Sequence, residues 1–171
     1  MTALVSITDR YGNQLAITRD PTNNNITQIT SPNGRWVQFT HDTSNRLTQA
    51  SDDFGRTVTY TYDTCGSGFL CSVKDANNNS ETYSYFTSGN ADPKCVGANG
   101  NLCKVIDPLG HTFITNAYDS NGRVSTQTLA DGTSTYQLAY KLNGSTVTQA
   151  TITDPNGNVE QSRRASTPAG S

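Results

Sequence analysis

Apolar and polar residues alternate one for one along short stretches of this chain. In Thr57-Val58-Thr59-Tyr60-Thr61-Tyr62, the residues Val58, Tyr60 and Tyr62 fall on one face and three threonines on the other. The same order returns in Thr135-Tyr136-Gln137-Leu138-Ala139-Tyr140. A period of two is that of a half-buried strand. Such stretches are separated by a four-residue punctuation, Asp-x-x-Gly or a close variant. It begins at Asp9, Asp20, Ser31, Asp42, Asp52, Asp63, Asp75, Gly97, Asp107, Asp119, Leu129, Lys141 and Asp154, at intervals of 10 to 13 residues except for one gap of 22 after Asp75.

The residue types explain the punctuation. Asp at the first position accepts local backbone N–H bonds, and proline presets φ at the second, as at Pro21, Pro32, Pro108 and Pro155. Glycine permits φ > 0 at the fourth, as at Gly12, Gly34, Gly55, Gly66, Gly110, Gly122 and Gly157. A type I turn followed by a left-handed residue closes a hairpin, so each mark reverses the chain. The expected fold is all-β: a long antiparallel meander of hairpins forming a curled or coiled, solenoid-like strip without substantial helix. Composition agrees, with 59 Thr, Asn and Ser residues and only Glu81 and Glu160 as glutamates. The strip is expected over residues 1–160, with an irregular, cysteine-containing insertion at about 64–103 and a flexible tail at 161–171.

Gly55-Arg56-Thr57-Val58-Thr59-Tyr60-Thr61-Tyr62-Asp63, Asp119-Ser120-Asn121-Gly122-Arg123-Val124 and the Asp-Pro-x-Gly turns resemble the tyrosine-aspartate (YD) repeats of Rhs proteins, which are related to repeats in teneurins and in the shell components of insecticidal toxin complexes. The resemblance covers about nine-tenths of the chain. It implies a β-strip coiled into a hollow shell that encloses a toxic domain or presents an adhesive surface outside the cell. The glycine-rich core-closing segment and autoproteolytic aspartate pair of toxin-releasing members are not recognisable here. Asp107-Pro108-Leu109-Gly110, in phase with the other marks, reads as an ordinary turn.

Charge and hydropathy narrow the function. A net charge of −2 and a pI near 5.5 supply no basic surplus for nucleic acid or an acidic membrane surface. No apolar run reaches the ~18 residues of a membrane span, and the N-terminal residues lack the basic start and apolar core of a signal peptide. Leu, Ile, Val and Phe number only 30 of 171, so a single layer cannot bury both faces within itself. It must curl, or pair with neighbours at its open edges.

Cys65/Cys71 and Cys95/Cys103 form two close pairs. A turn at Gly97–Gly100 sets Cys95 opposite Cys103, and a turn reset to Gly66–Phe69 sets Cys65 opposite Cys71. Local disulfides are the first expectation and indicate an oxidising compartment. Free thiols, a zinc site at unusually wide spacing and a Cys71–Cys103 bridge are the alternatives.

Catalytic chemistry is thinly supplied. His41 and His111 are the only histidines, both expected on strands, and the aspartates have a structural reason for their positions. No enzyme activity, metal or cofactor is indicated. Trp36, Phe39, Tyr60, Tyr62, Tyr83, Tyr85, Tyr118, Tyr136 and Tyr140 are expected to line one face as a cross-strand ladder, which either stabilises the concave interior or contacts glycans. Asn25, Asn78 and Asn143 open glycosylation sequons. The leading functional expectation is an extracellular or cell-surface scaffold acting through its β-surface and edge-to-edge association, with copies of itself or with neighbouring YD repeats, as a filament or tube. A shell segment of a larger Rhs-type toxin and a carbohydrate-binding adhesin module are the alternatives.

Overall fold

The computed structural model describes residues 3–86 and 96–163. Among them fourteen strands and no helix are found: β1 (Ser6–Thr8), β2 (Gln14–Arg19), β3 (Ile26–Thr30), β4 (Trp36–His41), β5 (Leu47–Asp52), β6 (Thr57–Tyr62), β7 (Leu70–Lys74), β8 (Ser80–Tyr85), β9 (Leu102–Ile106), β10 (Thr112–Tyr118), β11 (Val124–Leu129), β12 (Thr135–Asn143), β13 (Thr146–Thr153) and β14 (Val159–Arg163). Strand order in the sheet is chain order, without a crossover. β14 carries strand structure through Arg163, into the stretch expected as tail, whose remainder at 164–171 lies outside the described residues. Two compact units are distinguished, residues 1–81 and 82–171, the chain passing from one to the other within β8.

Cross-strand partners share a face, so the register sorts the side chains. In the first unit the pairs Ile17/Ile29, Ile29/Val37, Phe39/Ala50, Ala50/Val58 and Tyr60/Val73 make one face apolar. Gln28/Gln38, Thr30/Trp36, Gln49/Thr59, Ser51/Thr57 and Thr61/Ser72 make the other polar. Amides and hydroxyls bond along this polar face: Gln38 Nε2 donates to Gln28 Oε1 at 3.1 Å, and Gln28 Nε2 to Thr30 Oγ1 at 2.8 Å. The second unit repeats the division. Tyr83/Val105, Val105/Ile114, Ile114/Leu129 and Leu138/Ile152 lie on one face, Thr115/Thr128, Thr128/Thr135 and Thr126/Gln137 on the other. Only Cys71, Cys103, Thr115 and Asn116 are buried among the described residues. The sheet is therefore one layer thick, and its geometry has to be fixed by hydrogen bonds and turns more than by a core.

Two turns depart from the sequence expectation. At Lys141–Gly144 the chain does not reverse. β12 runs on to Asn143, which pairs with Thr146 around Gly144 and Ser145. Gly144 has φ 60° and Ser145 a negative φ, the signature of a type II′ hairpin, for which Gly followed by a small polar residue is the preferred sequence. At Gly97–Gly100 the tight turn lies one residue later, the Asn101 N–H donating to Ala98 O at 3.0 Å. The hairpin expected around it does not form from β9, whose partners are β8 and β10.

The left-handed fourth position is met by Gly in most turns, and by Asn45 (φ 62°) and Asn78 (φ 67°) in two. At Gly122 (φ 73°) an added Cβ would meet nothing within 4 Å, so only backbone strain opposes substitution. Gly122→Ala is expected to lower stability by about 1–2 kcal/mol, and Gly122→Asn by clearly less, as read from urea midpoints with an unchanged m-value.

Candidate functional surface

The chemistry-bearing side chains of this protein gather in the turns. In a full turn the Asp Oδ1 accepts two backbone N–H groups, those two and four residues on, while Oδ2 accepts from the side chain four residues on. At Asp119 the Asn121 and Arg123 N–H groups donate at 2.8 and 3.0 Å and Arg123 Nε at 2.8 Å. Asp9, Asp42, Asp52, Asp75 and Asp154 make the same three contacts, with Asn13, Arg46, Arg56, Asn79 and Asn158 in the fifth slot. At Asp107 the slot holds His111, its Nδ1 at 3.2 Å from Oδ2. The sequence signal for this fifth position was present as Asn, Arg or His directly after the turn Gly or Asn. Asp20 bonds the Thr22 and Asn23 N–H groups instead, in a turn one residue longer.

These bonds favour the charged carboxylate. The side chain in the fifth slot is the main cause holding Asp9, Asp52, Asp75, Asp119 and Asp154 below the usual carboxylate range. For Asp42 and Asp107 it is that residue's backbone N–H, and for Asp20 the Thr22 N–H. Asp63 is brought to about 2, chiefly by Arg46 and next by the Gly68 N–H. Asp131 reaches about 2 through the Ser134 hydroxyl first.

Turns on the same edge are also tied to one another. Arg46 holds its own Asp42 through Nε and grips Asp63, in the next turn along that edge, with both terminal nitrogens at 3.1 and 2.7 Å. Its guanidinium lies 4.5 Å from the centroid of the Tyr62 ring. The Tyr62-Asp63 dipeptide thus offers a face to stack on and a fork to bond. Asn25 Nδ2 donates to Asn45 Oδ1 at 2.9 Å between the two preceding turns of that edge. On the opposite edge Arg35 reaches Asp53 at 3.4 Å and lies 4.3 Å from the Phe54 centroid.

A second regularity was not legible as spacing. The hairpins at Asp20, Asp42, Asp63 and Asp119 each carry a β-bulge beside the turn, as do the β8–β9 and β12–β13 pairs. Those at Asp9, Ser31, Asp52, Leu129 and Asp154 carry none, and the hairpin at Asp107 is an exception to the alternation, with a shift between Thr112 and Ile114. The Asp107 hairpin apart, the repeating unit is therefore two strands, not one. In these six pairs the extra residue is Thr27, Thr48, Cys71, Cys103, Ser125 and Thr148, small or β-branched in each, whereas at the Asp107 hairpin it is Phe113. Thr48 and Thr148 use it to donate to the Thr40 and Lys141 carbonyls, both at 3.1 Å.

Cys71 and Cys103 occupy that slot. Cys71 is bridged to Cys65, across a turn that has reset to Gly66–Phe69, the Phe69 N–H donating to Gly66 O at 3.2 Å. Cys103 is disulfide-bonded too, which with the Cys65–Cys71 bridge excludes free thiols at these positions and a Cys71–Cys103 link. Cys95 lies outside the described residues.

The aromatic ladder is only partly formed on one face. Phe39 and Tyr60 share the apolar face of the first unit, and Tyr62 follows Tyr60 at the strand end. Trp36 pairs with Thr30 on the opposite, polar face, because it is three residues from Phe39 and strand parity separates them. In the second unit Tyr83, Tyr136 and Tyr140 lie on the apolar face by register, with Tyr85 and Tyr118 two residues beyond Tyr83 and Asn116 on their strands. Tyr118 and Tyr140 donate their hydroxyls to the Leu102 and Val124 carbonyls at 2.8 and 2.9 Å, at the start of the preceding strand. Arg123 lies 4.9 Å from the Tyr140 centroid, as Arg46 does over Tyr62.

The family model for the teneurin YD-shell matches residues 1–104. The chain belongs to the teneurin YD-shell family. No curated protein matches this YD-shell chain in sequence. Among solved structures it is similar to a chain in the crystal structure of TcdB2-TccC3-Cdc42, with 14% identity, TM-score 0.45, and coverage of 88% of this chain and 10% of that one. For the Photorhabdus luminescens Tc holotoxin pore carrying a TccC3 mutation the values are 10%, 0.45, 97% and 11%, and for TcdB2-TccC3-TEV 14%, 0.43, 88% and 10%. The YD-shell chain spans about a tenth of those chains' length.

Because ten turn carboxylates are held below their ordinary range, the folded YD-shell chain binds fewer protons than the unfolded one in acid. Its stability is then complete above the unfolded carboxylate value of about 4 and falls as pH drops from there towards about 2. Trp36 fluorescence followed through an acid titration is expected to report unfolding in that window. Asp63→Asn is expected to be less stable at neutral pH and to lose part of the acid dependence.

Proposed function

We propose that this chain is a wall segment of a YD-repeat shell outside the cell, with an architectural rather than a catalytic role. The observation that carries this reading is the pairing of a one-layer amphipathic sheet with edges tied turn to turn, as Arg46 ties Asp42 to Asp63. Such a wall keeps its curvature and register without a core of its own. The apolar face and the outermost strands are left for further YD strands of the same chain or of another copy. Disulfide-bonded Cys65, Cys71 and Cys103 support an oxidising, extracellular setting.

The outer side of β14 is where continuation can be tested. The Asp154 N–H donates to Asn158 O at 2.9 Å, which makes 154/158 a hydrogen-bonded pair. By alternation Ile152/Glu160 and Ala150/Ser162 are hydrogen-bonded pairs as well. The N–H groups of Val159, Gln161 and Arg163 accordingly turn away from β13, and among the described residues β14 has no other neighbour. Gln161→Pro removes one outward donor without touching the β13 ladder.

Sedimentation velocity is expected to show concentration-dependent association of the native chain, weakened roughly tenfold by Gln161→Pro, the equivalent of one or two lost hydrogen bonds. The circular dichroism of the two should match. A native chain that stays monomeric at every concentration would overturn the edge-pairing part of this proposal.

A further inference from the structure

The sequence contains five Asn-Gly steps: Asn33-Gly34, Asn99-Gly100, Asn121-Gly122, Asn143-Gly144 and Asn156-Gly157. Asn followed by Gly is the dipeptide most open to intramolecular attack by the next backbone nitrogen on the side-chain amide, because glycine has no side chain to obstruct it. All five lie in or beside chain reversals, but they are not equivalent. We propose that Asn143 is a site of spontaneous deamidation in the folded protein, selected from the five by the geometry of its turn.

The selection rests on where each glycine N–H goes. Gly34 donates to Ser31 O at 2.9 Å, Gly122 to Asp119 O at 3.0 Å, Gly157 to Asp154 O at 3.0 Å and Gly100 to Phe86 O at 2.9 Å. For the nitrogen to become a nucleophile this proton must leave, so each of these bonds has to break first. Two of the asparagines are held further by their turn Asp: the Asn121 and Asn156 N–H groups donate to the Asp119 and Asp154 carboxylates at 2.8 and 2.9 Å. Asn33 Oδ1 itself accepts from the Arg35 N–H at 3.3 Å and from the Ser31 hydroxyl.

Asn143-Gly144 is built differently, because the type II′ turn places Gly144 at the second position and not the fourth. Among the described residues nothing accepts a hydrogen bond from the Gly144 N–H, and the Asn143 side chain has no hydrogen-bond partner. Both residues are exposed at the hairpin tip, within reach of water and solvent base.

The reaction needs only water. Gly144 N loses its proton to solvent base and attacks Asn143 Cγ. The N–Cγ bond forms, the Cγ–Nδ2 bond breaks, and Nδ2 leaves as ammonia after taking up a proton. Water then opens the five-membered imide at one of its two carbonyls, giving aspartate or isoaspartate at position 143. Either product places a new carboxylate at the tip. The isoaspartyl form also lengthens the backbone by one carbon, which is incompatible with the two-residue loop that pairs Asn143 with Thr146.

The test is incubation of the full chain in mildly alkaline buffer, followed by peptide mapping by mass spectrometry and enzymatic methylation of isoaspartate. A parallel incubation is made in concentrated denaturant with the disulfides reduced. In the folded chain Asn143 is expected to convert roughly tenfold or more faster than Asn33, Asn99, Asn121 and Asn156, each factor of ten corresponding to about 1.4 kcal/mol of local opening at the protected turns. In denaturant the five rates should converge to within a few-fold. Equal rates or no conversion in the folded chain overturns the proposal. So does a lead for Asn143 that persists undiminished in denaturant, since local sequence and not turn geometry would then be the cause.

Discussion

The aspartate carboxylates of the turns hold most of this molecule in register. A sheet with four buried residues among those described cannot choose between alignments by burying one set of side chains in a core, the usual device that fixes strand pairing. The choice passes to the loops. An Asp that takes up the N–H groups of the third and fifth turn residues and clamps the fifth side chain leaves one low-energy hairpin. A slip by one residue would release three charge-assisted contacts at once, each stronger than its neutral equivalent. Repetition then extends the alignment from hairpin to hairpin without asking any single contact to be strong.

The bulges give this regular ladder a direction. With identical hairpins at both edges the sheet would have equivalent sides. Here the bulge recurs at the hairpins where Arg19, His41, Tyr62 and Tyr118 immediately precede the turn Asp, and each bulge adds local right-handed twist. The tyrosine beside the Asp has a specific use at this edge. Tyr118 fastens the strand end to the start of the preceding strand, and Tyr62 carries an arginine from the previous turn of that edge; Tyr140, followed by Lys141 inside β12, makes both contacts without an Asp beside it. The tyrosine-aspartate dipeptide is thus the sequence trace of the bulged edge, and the two-strand unit is the physical repeat behind it.

Most of the strands and turns were legible because they are local. Alternation fixes a strand, and Asp with Gly or Asn three residues on fixes a turn, with no need of distant residues. The misreadings fall where two local signals compete. Lys141-Leu142-Asn143-Gly144 has glycine in the fourth place, but Gly144-Ser145 is a better two-residue loop and wins. At Gly97 the missing Asp removed the anchor that sets the turn's phase, and it moved to Ala98. Bulges leave no mark in a count of turn spacings, since one extra residue in a strand is indistinguishable from a longer loop. That is why the shared slot of Thr27, Thr48, Cys71 and Cys103 shows in the sequence only as a fixed distance before the next turn in all four; Trp36 and Phe39, three residues apart in β4, are separated by strand parity alone.

The same contacts that make the turns reliable make them poor chemistry. A general acid or base works best with a pKa near the pH at which it acts, and these carboxylates are driven the other way by the donors around them, to about 2 at Asp63 and Asp131. Their oxygens are taken up by backbone N–H groups and the side chain in the fifth slot. A carboxylate bonded to that degree can only be recruited to a reaction by dismantling the hairpin it closes. Abundant aspartate is here accounted for by the turns it closes, and the surfaces those turns leave unused are the apolar face, the outer strands and the exposed hairpin tip at Asn143.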